Sequence, residues 1–161
     1  LDKDVDSFDQ SLSILEENGV PTVPHILAGI HFGRLKGEKK ALEIVSKHKP
    51  AAIVIVALTP LDKTRMKDVP PPTPIDVARV ILASRLLMPK TPILLGCARP
   101  RGQHKAETDI LAIKACVNGI AYPSEEAYEF AQKSGLNVKI HEKCCSLAWK
   151  DLLLKTNYVN A

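Results

Sequence analysis

Between Pro50 and Pro60 the chain runs Ala-Ala-Ile-Val-Ile-Val-Ala-Leu-Thr, residues 51–59, with no polar side chain before the closing threonine. A strand with one wet face alternates apolar and polar residues. An unbroken, β-branched run is instead expected of a parallel strand covered on both faces. Parallel neighbours cannot be joined by a tight hairpin and need a crossover, usually a helix. This single run therefore commits the chain to alternating strands and helices.

The flanking sequence keeps that alternation. Phe8, Leu12 and Leu15 form a helical stripe closed by Gly19, and residues 22–32 read as a strand. Ala41, Leu42 and Val45 give a short helix ended by Pro50. Thr73 and Pro74 are suited to the N-cap and first position of a helix carrying Val77, Ala78, Ile81 and Leu82. A strand at 92–98 follows, then a helix with Ala106, Ile110, Ile113 and Val117, and a short strand at 119–122. Ser124 caps a helix with Glu125 and Glu126 in its first turn, Gly135 ends it, and 136–141 reads as a last strand. The expected fold class is α/β, built of parallel βα repeats with right-handed crossovers. Spacing does not separate an open doubly wound sheet from part of a TIM-like barrel, and in both the ligands bind at the carboxyl ends of the strands.

Composition narrows the function. A formal charge of +4 is scattered rather than clustered, and seven aromatic residues (three Phe, three Tyr, one Trp) leave no stacking surface among basic residues. Nucleic acid is not an expected partner. The apolar runs fall well short of the about 20 residues that span a bilayer, and no signal peptide opens the chain. Four cysteines are too few for a disulfide scaffold and fit a reducing, cytoplasmic setting. Neither GxGxxG nor GxxxxGK[ST] occurs at the strand ends, which argues against dinucleotide and nucleoside-triphosphate sites.

Four segments could carry chemistry. In PHILAGIHFGRLKGE (24–38), Gly29, Gly33 and Gly37 cluster at a strand end, where missing side chains admit a ligand to the backbone, or simply make a tight turn. His25, Gly29 and His31 share parity on that strand, and Glu38 starts the next helix. Residues 57–74 form a proline-rich loop, either a lid or a stiff spacer. In LLGCARPRG (95–102), Cys97, Arg99 and Arg101, with Lys105 beyond, suit a metal, a nucleophile or an anion, or are a buried thiol beside solvated arginines. In HEKCCSL (141–147), neighbouring cysteines on an extended strand would face opposite ways, so two inert or redox-sensitive thiols are expected, and Cys116 reads as helix core.

Together these segments resemble the second half of the radical S-adenosylmethionine barrel of biotin-synthase-like enzymes. GIHFGRLKGE is similar to that family's glycine motif GxIxGxxE, with the Gly-Glu pair two residues later. VALTPLDKT is similar to its next strand and loop, with Lys63 in place of a glycine before Thr64. DVARVILASRLLMPKTPILLGCAR resembles the stretch leading to the motif SAGR, and AIKACVNGIA the segment after it. GCARPRG and CCSL also resemble an archaeal subgroup that includes split-type lipoyl synthases. The resemblance implies a barrel portion over residues 1–145 and a C-terminal tail over 146–161. It implies S-adenosylmethionine and a [4Fe–4S] cluster in the full-length enzyme, cleaving the cofactor to a radical that activates a C–H bond. Gly29, Gly33, Glu38, Val56 and Leu58 would face the cofactor, and His25, Arg99 and Lys105 the small-molecule substrate. Arg99 and Cys97 are the residues to consider toward an auxiliary cluster.

The CxxxCxxC motif that holds such a cluster does not occur here. The fragment is thus expected to bind no cofactor alone and to be inactive alone. It would lack the N-terminal half of the same polypeptide, in keeping with its start at Leu1, and would self-associate through open sheet edges. Parity directs Arg99 to the face of His25 and Cys97, toward the space a full barrel encloses; the alternative turns it to a helix acid such as Glu107. Two rival functions remain: a stand-alone α/β domain binding an anionic metabolite or a partner subunit, and an aldolase-like enzyme using Lys105 or His25.

Overall fold

The structure, a computed structural model, describes residues 4–154. Strands β1 (His25–Ala28), β2 (Ile53–Ala57), β3 (Ile93–Leu95) and β4 (Gly119–Ile120) form one parallel sheet in the order β1-β2-β3-β4. Between and around them lie α1 (Val5–Glu17), α2 (Glu38–Val45), α3 (Pro74–Leu87), α4 (Gln103–Lys114), α5 (Glu125–Lys133) and α6 (Cys145–Leu154). The parallel βα architecture expected from residues 51–59 is what the chain adopts. None of the described helices is long and apolar enough to cross a membrane.

Alternation along β2 divides the core in two. Ile53, Ile55 and Ala57 point to the face covered by α2, α3 and α4, where they join Ile26, Ala28, Ile93, Leu95, Val77 and Ile81. Val54, with Ala52 and Leu94, lies on the opposite face, against Val56, Val23 and one side of α6: Cys145, Ala148, Trp149 and Leu152. Caps mark the helix starts as the sequence indicates. Thr73 accepts from the Asp76 amide and Ser124 from the Ala127 amide, each such cap stabilising its helix by about 1 kcal/mol. Helix α1 adds Leu12 to the main core and is pinned by His48, whose Nε2 lies 2.8 Å from Asp9 Oδ1.

Several sequence expectations are corrected. β1 stops at Ala28 because Gly29 turns with φ +76°, so His31 is off the strand and shares no face with His25. The strand expected at 136–141 does not form. Leu136, Val138 and Ile140 alternate as strand residues do, yet all three are exposed, and β4, two residues long, offers almost no ladder to extend. Helix α4 is turned from its expected face. Thr108, Asp109 and Ala112 are its buried residues, and Ile110 and Ile113 are only half-buried. In α1 only Leu12 is buried, while Phe8 and Leu15 are exposed; Leu82 of α3 is likewise exposed. Cys116 is exposed just past the end of α4 rather than in a helix core. Cys144 and Cys145 open a helix, not a strand, and that helix begins the segment read as a tail.

Candidate functional site at the carboxyl end of the sheet

The carboxyl ends of the strands carry the loops 29–37, 58–73, 96–102 and 121–124. The first two are locked together. Glu38, the first residue of α2, is buried, and its carboxylate accepts from the amides of Gly29 (2.7 Å), Lys36 (2.8 Å) and Gly37 (3.1 Å). One acidic side chain thus fixes the whole turn after β1. Gly29 and Gly33 both have positive φ, +76° and +79°, where a side chain is strained. Each is also pressed by the proline-rich loop. A Cβ on Gly29 would lie 2.7 Å from the Pro72 ring, and one on Gly33 would lie 2.0 Å from the Pro70 carbonyl oxygen. The glycines therefore serve the close approach of residues 70–72, which form neither a free lid nor a detached spacer. The Pro72 carbonyl in turn lies 2.7 Å from His104 Nε2, whose Nδ1 lies 3.2 Å from Thr108 Oγ1.

The other two loops converge on a buried ion pair. Arg99 Nε and Nη2 donate to the Asp109 carboxylate at 2.7 and 3.1 Å; Nη1 donates to the Gly96 carbonyl at 2.6 Å, and Nη2 also to the Ala121 and Tyr122 carbonyls at 2.8 and 3.1 Å. Asp109 also accepts from Lys105 Nζ (2.9 Å) and from the backbone amide of Ser124 (2.8 Å), the N-cap of α5. The Arg99 and Asp109 side chains are 1% and 0% exposed. In so little water such a pair holds only if every polar atom is matched, and no described buried side-chain polar atom lacks a partner.

This geometry corrects the expected orientation of Arg99. Its guanidinium turns to α4 and to the end of β4, not to an open space shared with His25 and Cys97. The acid it meets is Asp109, not Glu107. Parity fails because Arg99 lies past the end of β3, where strand alternation no longer directs the side chain. His25 sits at the opposite, amino end of β1, with Nδ1 3.0 Å from the Val23 carbonyl oxygen. Lys105 is held by Asp109. Gly29, Gly33 and Glu38 do come together. Val56 lies on the α6 side of β2, and Leu58 follows it, half-buried, its amide donating to the Ala28 carbonyl. Asp109 was missed in the sequence; its signal is an acid four residues after Lys105 on a helix that must bury one face.

Among the described residues no group of three or more His, Cys, Asp or Glu side chains could hold a metal ion. Cys97 is exposed, and Arg99 is fully engaged elsewhere. The described residues, taken by themselves, offer no ligand set for an iron–sulfur cluster.

Comparison with known families decides where the chain belongs. The model of the Biotin and Thiamin Synthesis associated domain matches residues 55–147. The chain is a member of that family. The domain match begins within β2 and ends in the first turn of α6, leaving α1, β1 and α2 ahead of it. Among curated proteins, the chain is 29% identical over 121 residues to a biotin synthase of Synechococcus sp. (strain CC9311), an alignment covering 72% of this chain and 36% of that protein. It is 32% identical over 73 residues to a biotin synthase of Zymomonas mobilis subsp. mobilis, covering 45% and 21%. The chain thus spans about a third or less of the length of these relatives. No solved structure matches it.

Proposed function

We propose that this chain is one wall of a radical S-adenosylmethionine enzyme of the biotin-synthase type, the rest of the barrel and its iron–sulfur cluster being supplied from outside these residues. The observation that carries the proposal is the Biotin and Thiamin Synthesis associated domain match, which runs through β2, β3 and β4 and their carboxyl-end loops. Ligands of parallel βα folds bind at those ends.

In this reading the turn held by Glu38 and the β2 residues Val56 and Leu58 form the cofactor-facing surface. The protein's part in such chemistry is to bind, orient and exclude water. Arg99 is a positioning residue. Its pair with Asp109 fixes the ends of β3 and β4 and the start of α5, so that the loops between them keep one geometry. The partners are a small-molecule substrate and the complementary part of the barrel, against which the open edges of β1 and β4 would pair. The stand-alone anion-binding reading is weaker, because two of the three cations at this strand end, Arg99 and Lys105, are already paired with Asp109, leaving Arg101 alone on the surface.

The test is biochemical. An antiserum against this chain should detect, in the organism that carries it, a polypeptide longer than 161 residues or a stable complex with a second subunit. That species, reconstituted anaerobically with iron and sulfide, should cleave S-adenosylmethionine to 5′-deoxyadenosine. A native species of this length, uncomplexed and without cleavage, would overturn the proposal.

A further inference from the structure

Helix α6 lies on the wrong face for a helix of a closed barrel. In such a barrel the crossover helices ring the outside, and layers of side chains from alternate strands fill the inside. Helices α2, α3 and α4 all cover one face of the sheet, the outer one in that geometry. Ala52, Val54 and Leu94 look the other way, and α6 lies over them through Cys145, Ala148, Trp149 and Leu152.

This second face is layered. The Gly96 amide follows β3 and donates to the Ile55 carbonyl at 2.7 Å. A Cβ on Gly96 would lie 2.5 Å from Val56 Cγ1 and 2.8 Å from Val54 Cγ1. Gly119 of β4, the register partner of Leu94, stands beside it in the same way, its Cβ 3.0 Å from Leu94 Cδ2. A large side chain on one strand thus faces a bare glycine on the next, the alternation by which strands share a barrel interior.

Apolar contact alone holds α6 there. Its Asp151 pairs with Lys143 at 2.8 Å and His141 at 3.1 Å, both on its own connector. Among the described residues, no hydrogen bond or ion pair joins Cys145–Leu154 to the sheet or to the helices of the other face. The connector, residues 136–144, is exposed throughout and forms neither strand nor helix.

We propose that α6 is a removable plug: in the free chain it shields the inner face of the sheet, and it leaves when the complementary part of the barrel docks there. The proposal rests on the reading of this chain as one barrel wall. A helix with its side chains is about 10 Å across, whereas the interior of an eight-stranded barrel is just wide enough for side chains. Helix α6 and the facing strands cannot both lie over Val54 and Leu94. The partner is therefore a set of βα units that presents apolar side chains to this face and pairs with the edges of β1 and β4. Because α6 competes with it, the apparent affinity scales with the fraction of chains whose inner face is already uncovered.

The test compares the free chain with the larger species that the antiserum recovers, by amide exchange and by iodoacetamide labelling with Cys144 as internal reference. In the free chain the α6 amides and the half-buried Cys145 should be protected. In the larger species, exchange over 145–154 should accelerate and the ratio of Cys145 to Cys144 labelling should rise, while the β2 amides stay protected. A larger species in which α6 keeps the free chain's protection would overturn the plug and leave the barrel reading standing. A native species that is the free chain alone would overturn the barrel reading, and the plug with it. Freely exchanging α6 amides in the free chain would also overturn the plug, since nothing would be there to displace.

Discussion

The two faces of the sheet are built to different strengths from the same strands. Among the described residues, sixteen form one buried cluster toward α2, α3 and α4; toward α6, only Ala52, Val54 and Leu94 are fully buried, and the residues packed on them are partly exposed. Adjacent residues of β2 thus look into unlike surroundings. Hydrophobic stabilisation follows the apolar area removed from water, so the face covered by α2, α3 and α4 carries the fold and α6 is the lighter attachment. Unbroken apolar strands mean two covered faces; they do not mean two equal cores.

The largest effect is expected at the ion pair behind the stronger face. Asp109→Ala leaves Arg99 charged and almost without water, and should destabilise the chain by about 3–5 kcal/mol. Urea unfolding followed by circular dichroism reads the loss. A change under about 1 kcal/mol would show that water reaches the guanidinium and that this end of the sheet is not sealed.

The comparison itself is tested by a pair of neighbours, both 0% exposed. Ile55→Ala should cost about 2–5 kcal/mol. Val54→Ala should cost less, about 1.5 kcal/mol for two methylene equivalents, because α6 can resettle over the gap. Trp149 emission should shift in Val54→Ala and stay unchanged in folded Ile55→Ala. Equal costs without a shift would mean that α6 packs as firmly as the other helices.

The smallest effect is acid sensitivity confined to α6. Asp151 is held below the usual carboxylate range by the hydrogen bond from Lys143, helped by the charges of Lys143 and His141; Lys143 Nζ lies 2.8 Å and His141 Nδ1 3.1 Å from its oxygens. A depressed pKa contributes stability that is present above the unfolded value, near 3.9, and is lost as pH falls through the folded one. Below about pH 4, Trp149 emission should therefore change before the far-ultraviolet signal of the main core. Simultaneous change would make α6 part of one cooperative unit.

How legible this was depended on whether a signal was local. The βα order came through because residues 51–59 and the caps Thr73 and Ser124 act over a few residues. Glu38 was visible as a helix-start acid, but its bond to Gly29, nine residues earlier, was not. The Gly29–Pro72 contact and the Arg99–Asp109 pair join segments brought together only by the fold. Parity misled where strands end, at His31 and Arg99. Periodicity misled at 136–141, where apolar alternation exists without a neighbour to pair with. It also missed α6, whose apolar side is defined by the sheet beneath it.

One property of the sheet bears on how the chain comes to be folded. Each strand pairs with the next one in sequence, so no ladder waits for a distant segment to be made. Low separation between partners favours rapid folding. During synthesis the β1–β2 layer can close with α2 before β3 exists, and each later βα unit adds to an edge already formed. Assembly is then vectorial, and α6 docks after the four strands, onto a surface that the earlier units have already built.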